Sequence, residues 1–209
     1  IIDIGSGYGG AARYLAANYG CKIHCLNLSK VENARNEEKN EVQRLDHLIE
    51  VVTGNFEKIP LEDERFDIVW SEDAILHSPN KEMVFAEAYR LLREGGAFIF
   101  TDPMQADDCP EGVLQPILDR IHLRQMGSVK MYRELARQVG FKEDQVIEMP
   151  DQLVNHYSAV LHKLKEKEEE LRQNGCDQDY IDNMKKGLQH WIEGGKNGYL
   201  NWGILKFVK

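Results

Sequence analysis

Two short segments of this 209-residue chain carry residues whose types and spacing could do chemistry. The first, Asp3-Ile-Gly5-Ser6-Gly7-Tyr8-Gly9-Gly10, follows an apolar run and leads straight into a helical pattern. Its glycines let the backbone turn sharply and let a ligand approach, while the free N–H groups of the next helix point at that ligand. The chemistry is the cradling of a nucleotide-type group. The second, Asp73-Ala-Ile-Leu-His77, sets a carboxylate and an imidazole one helical turn apart. A His with an unperturbed pKa of about 6.5 can take a proton near neutral pH, so His77 is the candidate base and Asp73 its companion.

The glycine segment alone fits two cofactors. Gly5, Gly7 and Gly9 match the G-x-G-x-G of methyltransferases, whereas Gly5, Gly7 and Gly10 match the G-x-G-x-x-G of dinucleotide enzymes. A dinucleotide fold needs a second mononucleotide-binding half, and this chain offers five leading strands and an all-α insertion instead. Asp3, two residues before the first glycine, fits the methyltransferase pattern, in which a carboxylate lies near the cofactor's cationic methionine end. Both points favour S-adenosylmethionine, with Gly5, Ser6 and Gly7 as its loop. About 20 residues beyond the glycines an Asp or Glu ordinarily binds the ribose. Here Asn27 and Leu28 stand at that place, and Glu32 could supply the missing carboxylate. Gly54-Asn55-Phe56 is expected at the adenine, Asn55 on its edge and Phe56 on its face, and Ser71 is counted with the same set.

These residues need a frame. Strand-like apolar runs occur at Ile1 to Ile4, Lys22 to Leu28, Leu48 to Thr53, Phe66 to Ser71 and Ala97 to Asp102, with helical periodicity between most of them. That alternation predicts a doubly wound α/β fold: a seven-stranded, mostly parallel sheet with helices on both faces and a reversed last strand. Ser29, Asn80 and Ser128 read as helix starts, and Gly95-Gly96 and Gly140 as helix stops. After Gly140 come a short strand from Gln145 to Met149, a charged helical stretch from Gln152 to Arg172, a helix from Asp179 to Trp191 and a strand from Tyr199 to Val208. The division expected is a cofactor-binding α/β core at 1–149, a helical insertion roofing the substrate at 150–198, and the last core strand at 199–209. The Lys163 to Glu170 run, with opposite charges three and four apart, reads as a solvated helix face.

With 42% apolar residues, 29% charged residues and a formal charge of -9, the chain suits one core and a small-molecule substrate. Nucleic acid and anionic membranes call for clustered Lys and Arg, so neither is an expected partner. Cys21, Cys25, Cys109 and Cys176 lack the paired spacings of a zinc site, which predicts reduced thiols and no metal. No run approaches the ~20 apolar residues of a membrane span, and a cytoplasmic location is expected. The chain opens without Met, directly in a strand, and reads as a fragment. Oligomeric state leaves no mark in these patterns.

Ser71-Glu-Asp-Ala-Ile-Leu-His77-Ser-Pro, Thr101-Asp-Pro-Met104, Gln115-Pro-Ile-Leu-Asp-Arg120 and His190-Trp-Ile-Glu-Gly-Gly195 closely resemble the sarcosine/dimethylglycine N-methyltransferases that make glycine betaine. The likeness runs over nearly the whole chain. Asp-Ala-Ile-Leu-His and the following Thr-Asp are shared with phosphoethanolamine methyltransferases, so they mark amine methylators and not one substrate. The resemblance implies S-adenosylmethionine as cofactor, S-adenosylhomocysteine as its product, and places for Asp73 and His77 at the amine and the transferring methyl. The phosphobase enzymes also close over their cofactor with a Tyr from an N-terminal helix, which has no counterpart in this sequence.

Methyl transfer from a sulfonium needs a neutral amine held in line with the methyl carbon, and such positioning supplies about 7–11 kcal/mol. A cationic donor and a quaternary ammonium product both favour aromatic faces and carboxylates. Tyr132, Tyr157, Trp191 and Trp202 are candidates for the faces, Arg120 and His156 for the substrate carboxylate, and Met104 for the mouth of the sheet. Methylation of sarcosine and dimethylglycine is the first expectation. Phosphoethanolamine or another small amine is the second, and a non-catalytic cofactor-binding module the third.

Overall fold

The computed structural model describes residues 1–209, the side chains of Glu143 and Asp144 excepted. Strands β1 (Ile2–Ile4), β2 (Ile23–Asn27), β3 (Ile49–Thr53), β4 (Phe66–Glu72), β5 (Leu92–Gln105), β6 (Lys142–Glu148) and β7 (Leu200–Val208) form one sheet in the order β3-β2-β1-β4-β5-β7-β6. Helices α1 (Gly10–Tyr19), α2 (Lys30–Val42) and α3 (Lys81–Leu91) link the first strands. β1 runs parallel to β2 on one side and to β4 on the other. The chain thus leaves β1 in one direction and later returns beside it in the other, which opens a crevice at the strands' C-terminal ends. Asp3, Gly5 and the residues after Ser71 all arrive there.

The last strand is reversed. Gly95 N–H donates to Lys209 O at 3.1 Å and Lys209 N–H to Gly96 O at 3.0 Å, so the start of β5 lies against the end of β7. These bonds also correct the expected helix stop. α3 ends at Leu91, and Gly95-Gly96 belong to the strand. Phe66 faces Leu92 while Ile68 faces Ala97, a bulge that Gly95 absorbs at φ +76. The Gly-Gly pair bends a strand instead of ending a helix.

Contacts divide the chain into two compact units. The first comprises Ile1–Asp102, Tyr132–Val146 and Ile204–Lys209. Its core is aromatic: Phe85, Phe98, Phe100, Tyr132 and Phe207 are at most 1% exposed, with Phe85 against Phe98 at 5.3 Å and Phe100 against Tyr132 at 5.2 Å. Edge-to-face ring pairs of this kind add to the burial of their area.

The second unit comprises Pro103–Met131 and Ile147–Gly203, and carries α4 (Gln115–Ile121), α6 (Pro150–Glu166), α7 (Glu168–Gln173) and α8 (Gln178–Lys196). Helix α5 (Val129–Val139) starts in this unit and continues in the first. Leu161, Leu188 and Ile192 join α6 to α8. Gly195 is needed there, because a Cβ would collide with Val154. Lys163 pairs with Glu166 at 2.9 Å, and Lys167 with Glu170, on an exposed face. No helix among the described residues is long and apolar enough to cross a membrane.

Candidate active site

The glycine loop is held chiefly by backbone hydrogen bonds, with the Ser6 hydroxyl adding a long one to Leu26 O at 3.5 Å. Gly5 and Ser6 both donate their N–H to Leu26 O, at 2.8 and 3.1 Å, and Gly9 N–H donates to Ser6 O at 2.8 Å. Gly5, Gly7 and Gly9 have φ of +89, +51 and +71, a region that residues with a Cβ avoid. Gly5 is also a close approach: a Cβ there would collide with the Cβ of Ala74. This contact sets the 73–77 segment directly beside the loop. Asp3 lies below, only 4% exposed, its carboxyl pushed up to about 7 by burial and then by the neighbouring Glu72 charge.

At the end of β2, Asn27 Nδ2 donates to Glu32 Oε2 at 2.8 Å. The expected ribose residue and its proposed substitute carboxylate therefore meet, with Glu32 set at the start of α2 by the Ser29 cap. Leu28 is 70% exposed beside them. Gly54 N–H donates to Asn27 O at 3.2 Å, Asn55 Oδ1 accepts from Glu57 N–H at 2.9 Å, and Phe56 lies within 3.9 Å of the Cβ position of Gly5. Asn55 thus spends its carbonyl on its own turn. Ser71 is fully buried and donates its hydroxyl to Ile4 O at 2.8 Å, which makes it a tie between β4 and β1.

Asp73 follows β4 in a left-handed conformation, φ +50. Its N–H donates to Thr101 O at 2.9 Å, and its Oδ1 accepts from Thr101 Oγ1 at 2.8 Å. Next comes a 3-10 turn, Ile75–His77, anchored by buried Ile75 and Leu76. Leu76 N–H donates to Asp102 Oδ1 at 2.9 Å, while Leu76 O accepts from Lys81 Nζ at 3.2 Å. His77 is held below its ordinary pKa of 6.5 by desolvation and by the positive charge of Lys81. It is thus a neutral imidazole at neutral pH. Glu57 Oε1 accepts from the Ser78 hydroxyl at 2.5 Å, tying the loop after β3 to the same segment.

Residue types alone did not single out Thr101, Asp102, Lys81 or Glu57 for these roles. The Thr101-Asp102 pair carried part of the family resemblance, and that was its available signal.

Tyr132 is not an open aromatic face. It is fully buried, stacked 5.7 Å from Phe85, and its hydroxyl donates to Asp102 Oδ2 at 2.5 Å. Arg120 is also engaged: Nη1 donates to Asn183 O at 2.9 Å, and a Cβ on Gly187 would strike its guanidinium, so Arg120 clamps α4 to α8. Within the helical unit Tyr157 stacks on Trp191 at 4.8 Å, with the exposed His156 edge-on to Tyr157 at 5.2 Å. Trp202 N–H donates to Asn201 Oδ1 at 2.8 Å, and Met104 is fully buried.

Residues 2–100 match the model of a methyltransferase domain. The whole chain is 55% identical to the sarcosine/dimethylglycine N-methyltransferase of Halorhodospira halochloris and 51% identical to that of Aphanothece halophytica, spanning 75% of each. A solved structure from Galdieria sulphuraria, assigned to sarcosine dimethylglycine methyltransferase, superposes with a TM-score of 0.96 at 46% identity, covering 100% of this chain and 76% of that one. The Haemonchus contortus phosphoethanolamine N-methyltransferase 2, solved with phosphomonomethylethanolamine and S-adenosylhomocysteine, shares the fold at a TM-score of 0.88 and 22% identity, over 100% of this chain and 48% of that one. On these grounds the chain belongs to the sarcosine/dimethylglycine N-methyltransferase family of S-adenosylmethionine-dependent methyltransferases.

Proposed function

We propose that the chain methylates sarcosine and dimethylglycine to glycine betaine, with S-adenosylmethionine bound at the loop after β1. The observation that carries this reading is identity of 55% over all 209 residues, which extends well beyond the cofactor-binding domain. The phosphoethanolamine alternative rests on a relation of 24% identity to an Arabidopsis thaliana enzyme of that name.

The loop's residues fit such a ligand. A Cβ on Gly7 would meet no heavy atom within 4 Å, so the backbone there is open to approach. Asp3 is a buried carboxyl that a cationic neighbour would ionise, and the Asn27–Glu32 pair offers an amide and a carboxylate at the end of β2. Gly54, Asn55 and Phe56 are assigned to the adenine, with Leu28 flanking. When bound, the cofactor supplies an electrophilic methyl on a sulfonium.

The protein's own work is then positioning and proton removal. Near neutral pH a methylated glycine carries its proton on nitrogen and has no free lone pair. The neutral His77 imidazole accepts that proton at a ring nitrogen. Asp73, with one carboxylate oxygen fixed by Thr101, aligns the amine. His156, Tyr157, Trp191 and Trp202 are proposed on the substrate side, where aromatic rings favour a methylated ammonium, while Met104, fully buried, is left as a packing residue. Arg120 is the weakest member of that set, because its guanidinium is already committed within the helical unit.

The test offers sarcosine, dimethylglycine and phosphoethanolamine side by side with S-adenosylmethionine and identifies products by mass spectrometry. Betaine from dimethylglycine is expected. Methylated phosphoethanolamine with untouched dimethylglycine would overturn the assignment.

A further inference from the structure

We propose that Asp102 and Tyr132 form a buried positioning pair that sets the turn carrying His77, and that Asp102 does so as a carboxylate. The proposal rests on the reading that His77 acts in methyl transfer.

Two donors and one positive charge, from three elements, converge on one carboxyl group. Oδ1 of Asp102 accepts the Leu76 N–H at 2.9 Å, one residue before His77. Oδ2 accepts the Tyr132 hydroxyl of α5 at 2.5 Å. The Lys81 ammonium of α3 adds its positive field, and its Nζ also holds the carbonyls of Leu76, at 3.2 Å, and Ser78, at 2.9 Å. Both backbone polar groups of the turn's central residue, Leu76, are thus gripped, the N–H by Asp102 and the C=O by Lys81. Asp102 and Tyr132 are both fully buried, so neither touches substrate and each acts through the turn.

A site made only of donors asks for an acceptor. Protonating Asp102 would put a hydrogen where a donor's hydrogen must lie, and the grip on Leu76 or Tyr132 would loosen. Burial pushes this carboxyl upward, and with every neighbour counted it stands at about 7. Tyr132, the Leu76 N–H and Lys81 pull it back toward the charged form, while Asp73 opposes them. The ionised state therefore depends on the Tyr132 hydroxyl. Removing that hydroxyl raises the pKa further, and function carried by the carboxylate is lost as pH falls through it.

The experiment uses the full chain with Tyr132→Phe, Asp102→Asn and His77→Ala. Phe fills the same ring cavity between Phe85 and Phe100, and Asn keeps an acceptor for Leu76, so both variants should fold. Melting temperature and S-adenosylmethionine affinity, read by calorimetry, check this directly. With dimethylglycine and saturating cofactor, Tyr132→Phe is expected to lower kcat by about ten- to a hundredfold with KM little changed. It is also expected to move the acidic limb of the kcat profile to higher pH. Asp102→Asn is expected to lower kcat similarly and to remove its own contribution to that limb. A Tyr132→Phe limb that stays at its wild-type pH, or a kcat loss equal to the loss of folded protein, would overturn the proposal. If His77→Ala keeps near-normal turnover, the reading of His77 fails first. If His77→Ala is inactive while Tyr132→Phe is normal, the positioning pair alone fails.

Discussion

Thr101 grips Asp73 twice, donating its hydroxyl to the Asp73 carboxylate at 2.8 Å and accepting the Asp73 N–H on its carbonyl at 2.9 Å. Only the first bond depends on the side chain. Thr101→Val keeps the shape and the backbone bond but removes the hydroxyl's bond to the carboxylate. Stability should fall by about 1 kcal/mol or less, whereas kcat/KM for dimethylglycine should fall by roughly tenfold. Steady-state kinetics beside a denaturant titration check this, and unchanged kinetics would remove Asp73 from the amine site.

The backbone of Asp73 separates charge from fold. At φ +50 an Asn is tolerated, while a β-branched residue is strained by on the order of 1–3 kcal/mol. Asp73→Asn is expected to melt close to the wild type yet lose most activity, and Asp73→Val to lose both. An active Asp73→Asn enzyme would show that the negative charge does no catalytic work.

Two glycines of one loop should respond differently to the same methyl. At Gly5 the added Cβ collides with Ala74 at φ +89, so Gly5→Ala should destabilise the fold by about 1–3 kcal/mol and displace the segment holding Asp73. At Gly7 the surroundings are open and only the backbone conformation resists, at φ +51. Gly7→Ala should therefore melt nearer the wild type but bind S-adenosylmethionine more weakly. Melting curves and titration calorimetry on the two variants distinguish the effects.

Asp3 predicts a pH dependence of both stability and binding. Its folded pKa, about 7, lies above the ordinary carboxyl value of 3.8. The folded state therefore binds its proton more tightly than the unfolded chain does. Stability from this group falls as pH rises between those two values, and the full cost persists above them. Asp3→Asn should flatten that decline and raise stability in mildly alkaline buffer, by on the order of 2–4 kcal/mol. Cofactor affinity should run the other way, strengthening as pH rises through the folded pKa, because a cationic ligand favours the carboxylate. If Asp3→Asn leaves the pH dependence of cofactor binding unchanged, Asp3 does not face the cofactor's charge.

The sheet was legible because buried strands and amphipathic helices announce themselves through local periodicity. Ser128 before α5 is a simple case: its hydroxyl accepts from Met131 N–H at 3.2 Å, as a helix start requires. Leu92 to Gly96 was not legible, since Gly-Gly ends helices by local rules, and here pairing with β4 and with Lys209 decides. Tyr132 misled for a related reason. Its residue type allows either a binding face or a core hydrogen bond, and the acceptor that decides, Asp102, stands 30 positions away in the chain. Arg120 likewise finds its acceptor 63 positions on, at Asn183. Side chains were readable where their partners are local, and ambiguous where the fold supplies them.

The end of β5 holds the segment after β4 with two consecutive residues, Thr101 on Asp73 and Asp102 on Leu76. Strand geometry sends consecutive side chains to opposite faces, so the two grips cannot be moved independently along the strand. For exchanging substrate preference between relatives, residues 72–81 and the dipeptide 101–102 are therefore one transplantable cassette. A chimera that takes the first without the second inherits Asp73 and His77 but not the clasp that holds their segment.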